Sequence, residues 1–196
     1  MAKNEEQVQD GVGPVPGKGD RQVVLLDGAG EAVGRCGKLE AHEPPGRLHL
    51  AFSVFLYRGD GALLLQRRAA GKYHFPLHWA NACCSHPAPG EEVVAAGERR
   101  LYEELGVRCR LEPAGSFVYR AVCPSSGLVE HELDHVLFGT SDETPAPDPA
   151  EVAETCWVTP AEIAACRPSG RHAPWLAEAL ALAEAARAAA GRAAER

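Results

Sequence analysis

Within Leu128–Phe138, LVEHELDHVLF, three carboxylates recur at two-residue spacing. In a β-strand that period puts Glu130, Glu132 and Asp134 on one face and His131, Leu133 and His135 on the other. Three like charges on one face repel one another. Either the face is solvated and the cost is small, or it points inward, where a bound cation is the usual way to keep clustered carboxylates ionised. Upstream, His49 lies in an apolar run and shares a face with Ala51, Ser53 and Phe55, so it points to the core or to a site. His42 precedes it by seven residues across a loop, and His86 follows Cys84 in Cys-x-His spacing. Imidazole at these places is compatible with metal ligation. None of these spacings is specific alone. Taken together, His42, His49, His86, Glu130 and Glu132 read as one divalent-metal site with the Cys84 thiol beside it.

The elements that must position these side chains are legible in outline. Residues 1 to about 20 are rich in Gly, Pro and charge without a hydrophobic period, which predicts a flexible arm, and residues 21–196 form a single domain with a C-terminal helix. QVVLLD is a strand followed by a Gly-rich turn; LHLAFSVFLYR and ALLLQRR are two strands joined by Gly59-Asp60-Gly61. Glu91–Leu105 has a helical period in Val94, Leu101 and Leu105, with Gly106 in the C-cap position. Strands follow around Ser116–Val122, Leu128–Thr140 and Glu154–Val158, and the Ala-rich tail from Trp175 to Arg196 is a terminal helix. This order predicts an α/β (α+β) fold of mixed β-sheets packed between helices.

Bulk properties narrow the function. The chain has 196 residues and a net charge of -7, which argues against nucleic acid as a partner because phosphate backbones are bound through clustered Lys and Arg. No stretch approaches the ~20 apolar residues of a membrane span. Seven cysteines, without a paired CxxC arrangement and behind a polar N-terminus, predict reduced thiols in a cytoplasm. A monomer is the expectation for assembly.

Ser85–Val107, SHPAPGEEVVAAGERRLYEELGV, resembles the Nudix box, a loop-helix-loop that binds divalent cations at a diphosphate. Glu91, Arg99, Leu101, Glu103, Glu104, Gly106 and Val107 match at the family spacing. Ser85 stands where the box has its leading glycine, and Arg100 where hydrolases carry the glutamate of their Arg-Glu pair. The second departure removes a typical magnesium ligand and supplies a cation that a phosphate can use. Arg100 and Glu104, four apart, are alternatively a plain surface pair.

With these departures the chain resembles the type 1 isopentenyl-diphosphate delta-isomerases, which have the Nudix fold. The tracts that carry this are RLHLAFSVF, HWANACCSHP, YEELGV, Tyr119–Ala121 and GLVEHELDHV. The resemblance implies conversion of isopentenyl diphosphate to dimethylallyl diphosphate through a tertiary carbocation, in isoprenoid biosynthesis. It gives His42, His49, His86, Glu130 and Glu132 to one metal ion (Mn2+, Zn2+ or Mg2+), and Glu104 to a second Mg2+ bound with the substrate diphosphate. It also implies Cys84 as acid or base on one side of the substrate, Glu132 with Tyr119 as proton source or relay on the other, and Trp175 as a cation-π partner. Trp175 is alternatively a core anchor. For the diphosphate, Lys38, Arg68, Lys72 and Arg100 match basic family positions, and the backbone around Ser85 is a further donor. Cys83 falls on an unconstrained position and goes to packing. The competing reading is a Nudix hydrolase of a nucleoside diphosphate derivative, supported by Glu103 and Glu104 and weakened by Arg100 and Cys84.

Overall fold

The computed structural model describes residues 21–164 and 170–194; the expected arm over residues 1–20, and Cys166, lie outside the described residues. The chain begins with a hairpin of β1 (Gln22–Leu26) and β2 (Ala32–Gly37), followed by a five-residue helix α1 (Lys38–His42). The sequence pattern places His42 in a loop, and the structure corrects this: it sits in the last turn of α1 and is buried. A single turn is too short to show a helical period. Next come β3 (His49–Tyr57), β4 (Leu63–Arg68) and the three-residue strands β5 (Trp79–Asn81) and β6 (Cys83–Ser85). Helix α2 (Val93–Leu105) starts two residues later than the pattern indicates, with Glu92 as N-cap and Gly106 left-handed at φ 69°. The chain continues through β7 (Glu112–Val122), β8 (Val129–Thr140), β9 (Val152–Val158), the short α3 (Pro160–Ala164) and α4 (Leu176–Ala194).

Strand β3 organises the sheet. It pairs antiparallel with β1, β4 and β6, and parallel with β8, whose other edge carries β7. Buried on both faces, it reads as a nearly unbroken apolar run instead of an alternating one. Phe52, Val54 and Leu56 pack with Leu101 and Leu105 of α2 and with Leu137. Phe55 and Tyr57 pack with Val136, Leu176, Ala179 and Ala183, the last three on α4. The sheet therefore lies between two helices, and each buried Leu or Phe contributes roughly 1.5–3 kcal/mol. Helix α2 approaches closely at Gly97, where any Cβ would lie 2.5 Å from Leu137 Cδ1. That approach fixes which face of α2, bearing Arg100 and Glu104, is turned inward.

Candidate active site

Strand register brings the chemistry together. His49 on β3 and Tyr119 on β7 are both directly opposite Glu132 on the central strand β8, so one row crosses three strands. The carboxylate face of β8 is buried, which excludes the solvated alternative: Glu130, Glu132 and Asp134 are 5%, 7% and 1% exposed. Glu132 Oε1 lies 2.9 Å from His86 Nε2, 3.3 Å from His49 Nε2 and 3.7 Å from His42 Nε2. Its other oxygen accepts a 2.6 Å bond from the Tyr119 hydroxyl. Glu130 Oε2 is 3.0 Å from His42 Nε2.

The donor set suits a cation. Nδ1 of His42 donates to the Lys38 carbonyl and Nδ1 of His49 to the Arg47 carbonyl, both at 2.7 Å, which turns each Nε2 toward the carboxylates. This is how a backbone partner fixes the tautomer of a liganding imidazole. His49 Nε2 and His86 Nε2 face each other at 3.1 Å, an arrangement that a shared positive ion between them and Glu132 satisfies. Burial opposes ionisation of Glu132, but bonds from His42, His49 and His86 outweigh it and hold the carboxyl well below its usual range. Burial, and then the charge of Glu132, raises Glu130. Burial lowers His42, yet Glu130 and Glu132 win and bring it up to about 9.

Cys84 belongs to a second, contiguous group. It stands opposite Ser53 in the β3–β6 pairing, with Sγ 3.6 Å from Ser53 Oγ, whose hydroxyl donates to Asp134 at 2.7 Å. Burial, then the Asp134 charge, pushes the thiol up to about 12, so it keeps its proton at neutral pH. The same Asn81 Oδ1 accepts from the Cys84 thiol and from the Trp175 indole, each at 3.0 Å. Trp175, just before α4, is held there because Trp79 bonds Arg171 and Ala173 through its backbone. It packs against Phe75 and Tyr119 and carries the Arg68 guanidinium 5.5 Å from its ring centre, so it is both a core anchor and a wall of the site. Cys83, by contrast, is fully buried against Phe52 and Val54.

These groups line one cavity of about 140 Å³: His42, Cys84, Ser85, His86, Tyr119, Glu130, Glu132 and Trp175, together with Lys38, Arg68, Lys72 and Arg100. His49 and Glu104 stand behind the lining. Arg100 is not a surface partner of Glu104, since the two are 4% and 1% exposed. It bonds Glu104 Oε1 and Glu103 Oε2 and lies 3.6 Å from Glu151, which also pairs with Lys72. Burial, together with repulsion from Lys72, brings the Lys38 ammonium down to about 8. Sequence reasoning missed His74, Asn81 as a ligand-holder, Ser53 and Glu151. Asn81 had a signal in its place in HWANACCSHP, three residues before Cys84, and Ser53 in sharing a strand face with His49; His74 and Glu151 had none.

Residues 47–182 match the NUDIX domain family. The isopentenyl-diphosphate Delta-isomerase of Nocardia farcinica is 57% identical over 173 residues, 87% of this chain and 99% of that protein. The enzyme of the same name from Streptomyces griseus is 49% identical, over 77% of each chain. Among solved structures, one from Deinococcus radiodurans superposes with a TM-score of 0.63 at 24% identity, covering 78% of this chain and 92% of that one. A MutT protein from Methanosarcina mazei gives 0.53 at 18% identity, covering 60% and 81%. These structural likenesses concern the fold alone.

Proposed function

Since the chain belongs to the Nudix family and, within it, to the isopentenyl-diphosphate Delta-isomerases, we propose that this cavity interconverts isopentenyl and dimethylallyl diphosphate. The observation that carries the reading is a thiol and a tyrosine-bonded carboxylate lining the same cavity with an indole ring. A hydrolase has no use for that combination.

The double bond moves by gaining a proton at its terminal carbon, giving a tertiary carbocation, and losing one from the carbon nearer the diphosphate. One proton enters and one leaves, so nothing is consumed. In this reading Cys84 and Glu132 are the two groups that exchange protons with the substrate, one on each side, with the Tyr119 hydroxyl bonded to Glu132 as relay; the buried thiol, pushed up to about 12, is a proton carrier at neutral pH. The return reaction uses the same groups in reverse. Between the two transfers, the Trp175 face stabilises the cation by roughly 2 kcal/mol in a desolvated setting. Phe75, Phe117 and Tyr119 pack around that ring and exclude the water that would capture the cation as an alcohol.

His42, His49, His86, Glu130 and Glu132 would hold a divalent ion, whose positive charge would orient Glu132 and make its protonated form a stronger acid when it is the donor; Mn2+, Zn2+ and Mg2+ all suit this donor set. Lys38, Arg68, Lys72, Arg100 and Ser85 bind the diphosphate. Because Glu103, Glu104 and Glu151 already partly neutralise Arg100 and Lys72, a second cation, Mg2+, would offset the remaining diphosphate charge, and Glu104 Oε2 would hold it: this atom is buried and has no hydrogen-bond partner among the described residues.

Incubation with isopentenyl diphosphate and Mg2+ should yield an acid-labile allylic diphosphate. Cleavage of nucleoside diphosphate derivatives with no allylic product would refute the reading. His42→Ala should lower bound metal, and unchanged stoichiometry would remove His42 from the ligand set.

A further inference from the structure

His74 is 3% exposed, and among the described residues neither nitrogen of its imidazole has a hydrogen-bond partner of good geometry. Nδ1 stands 3.1 Å from Glu130 Oε1, short of a straight hydrogen bond. The other Glu130 oxygen faces His42. A bond from Nδ1 to Oε1 would give the ring a partner at this distance, and leaving a buried imidazole unpaired costs roughly 1–3 kcal/mol. The ring also meets that of His42 edge-on, with centroids 4.1 Å apart. Because His42 Nδ1 is engaged with the Lys38 carbonyl, its single remaining nitrogen cannot serve one ion with His49 and His86 and another with His74. A separate ion beside His74 is therefore disfavoured.

The backbone of the same residue has a second task. The His74 carbonyl accepts from Arg68 Nε at 3.2 Å and Nη2 at 2.9 Å. The turn that presents it is strained, with Phe75 at φ 43° and Leu77 at φ 60°. Non-glycine residues hold such angles only where their surroundings over-determine them, often at functional sites. The Phe75 N–H, which donates to the Cys123 sulfur at 3.1 Å, is one of those constraints.

We propose that His74 is a positioning residue: its imidazole N–H orients Glu130 from outside the ligand set, while its carbonyl fixes the Arg68 guanidinium. The proposal rests on the metal-site reading of Glu130 given above. One residue thus ties the geometry of the metal carboxylates to that of the diphosphate pocket.

The test is Mn2+ titration of metal-stripped protein without substrate, comparing wild type with His74→Phe and His74→Asn. Phenylalanine keeps a ring and removes both nitrogens; asparagine places an N–H close to the position of Nδ1. His74→Phe should weaken Mn2+ binding about 10–100-fold, the range typical for loss of an outer partner of a ligand. His74→Asn should recover most of that loss. Binding of inorganic pyrophosphate should change less than about threefold in either variant, because the carbonyl remains. If His74→Phe fails to fold by circular dichroism, His74→Ala takes its place in the comparison. Mn2+ affinity within twofold of wild type in the nitrogen-free variant, or no recovery with asparagine, overturns the proposal. No Mn2+ uptake by wild type overturns it together with the metal-site reading, and that result is distinguishable from the other two.

Discussion

Asn81 joins Cys84 and Trp175 in the wall of the cavity, and its replacement by alanine has a calculable cost. The side chain is fully buried and all its hydrogen-bonding capacity is used. Nδ2 donates to the Val54 carbonyl at 3.1 Å and the Cys83 carbonyl at 2.9 Å, while Oδ1 accepts from Cys84 and Trp175. At about 1 kcal/mol net for each of these bonds, Asn81→Ala loses about 4 kcal/mol, a large part of the about 5–15 kcal/mol that stabilises an ordinary domain. Urea titration followed by circular dichroism measures this. In variant that is still folded at low temperature, the thiol and the indole have lost their common acceptor. A misplacement near 1 Å costs on the order of 100-fold in rate, which steady-state conversion of isopentenyl diphosphate reads directly. Trp175→Phe removes the N–H and keeps an aromatic face, so a double-mutant cycle with Asn81→Ala should give a coupling of about 1 kcal/mol. A stability loss below about 1 kcal/mol, with the two changes additive to within roughly 0.3–0.5 kcal/mol, would show that the Asn81 contacts do not hold Cys84 and Trp175 in place.

The adjacent thiols should separate cleanly: Cys84→Ala abolishes turnover with the fold intact, whereas Cys83→Ala keeps its rate and loses about 1 kcal/mol of stability from the buried sulfur, measured by kinetics and urea melts. With its thiol raised from the usual 9.0 to about 12, Cys84 should be alkylated by iodoacetamide at neutral pH on the order of 1,000 times more slowly than an ordinary cysteine, since only the thiolate reacts. Its rate, read by peptide mass spectrometry, should climb tenfold per pH unit through pH 10, and a plateau near pH 9 would contradict the burial argument. Gly97→Ala should cost about 1–3 kcal/mol by overpacking, seen as a lower Tm, because the new methyl meets Leu137 at 2.5 Å.

What the sequence made legible divides along local and non-local lines. The alternation in LVEHELDHVLF sorts the carboxylates from His131 and His135 correctly, and the Val94–Leu105 period finds α2, because both depend on neighbours a few residues away. The parallel pairing that sets His49 against Glu132 joins segments far apart in the chain, and no local pattern encodes it. His74 gave no signal because it sits in an irregular turn with left-handed residues after it, where neither a two-residue nor a 3.6-residue period exists. Arg100 and Glu104 illustrate a third limit. Their i,i+4 spacing is the same for an exposed pair and a buried one, and only the docking of α2 through Gly97 decides between them.

That docking also bears on why a Nudix scaffold supports isomerisation. Hydrolysis needs carboxylates free to gather cations around an attacking water; here Arg100 engages Glu103 Oε2 and Glu104 Oε1 and approaches Glu151, which leaves Glu104 Oε2 as the unengaged oxygen of that pair of carboxylates. A buried ion pair of this kind is weak evidence for stability, because desolvation offsets much of the attraction. Its value is better sought in geometry: it anchors a guanidinium in the lining of the cavity, while the proposed acid–base groups Cys84 and Glu132 stand on β6 and β8. On the proposed reading the reaction centre lies away from the helix, against a wall of Tyr119, Phe75 and Trp175 that keeps water from a cation and leaves the protons to a thiol and a carboxylate.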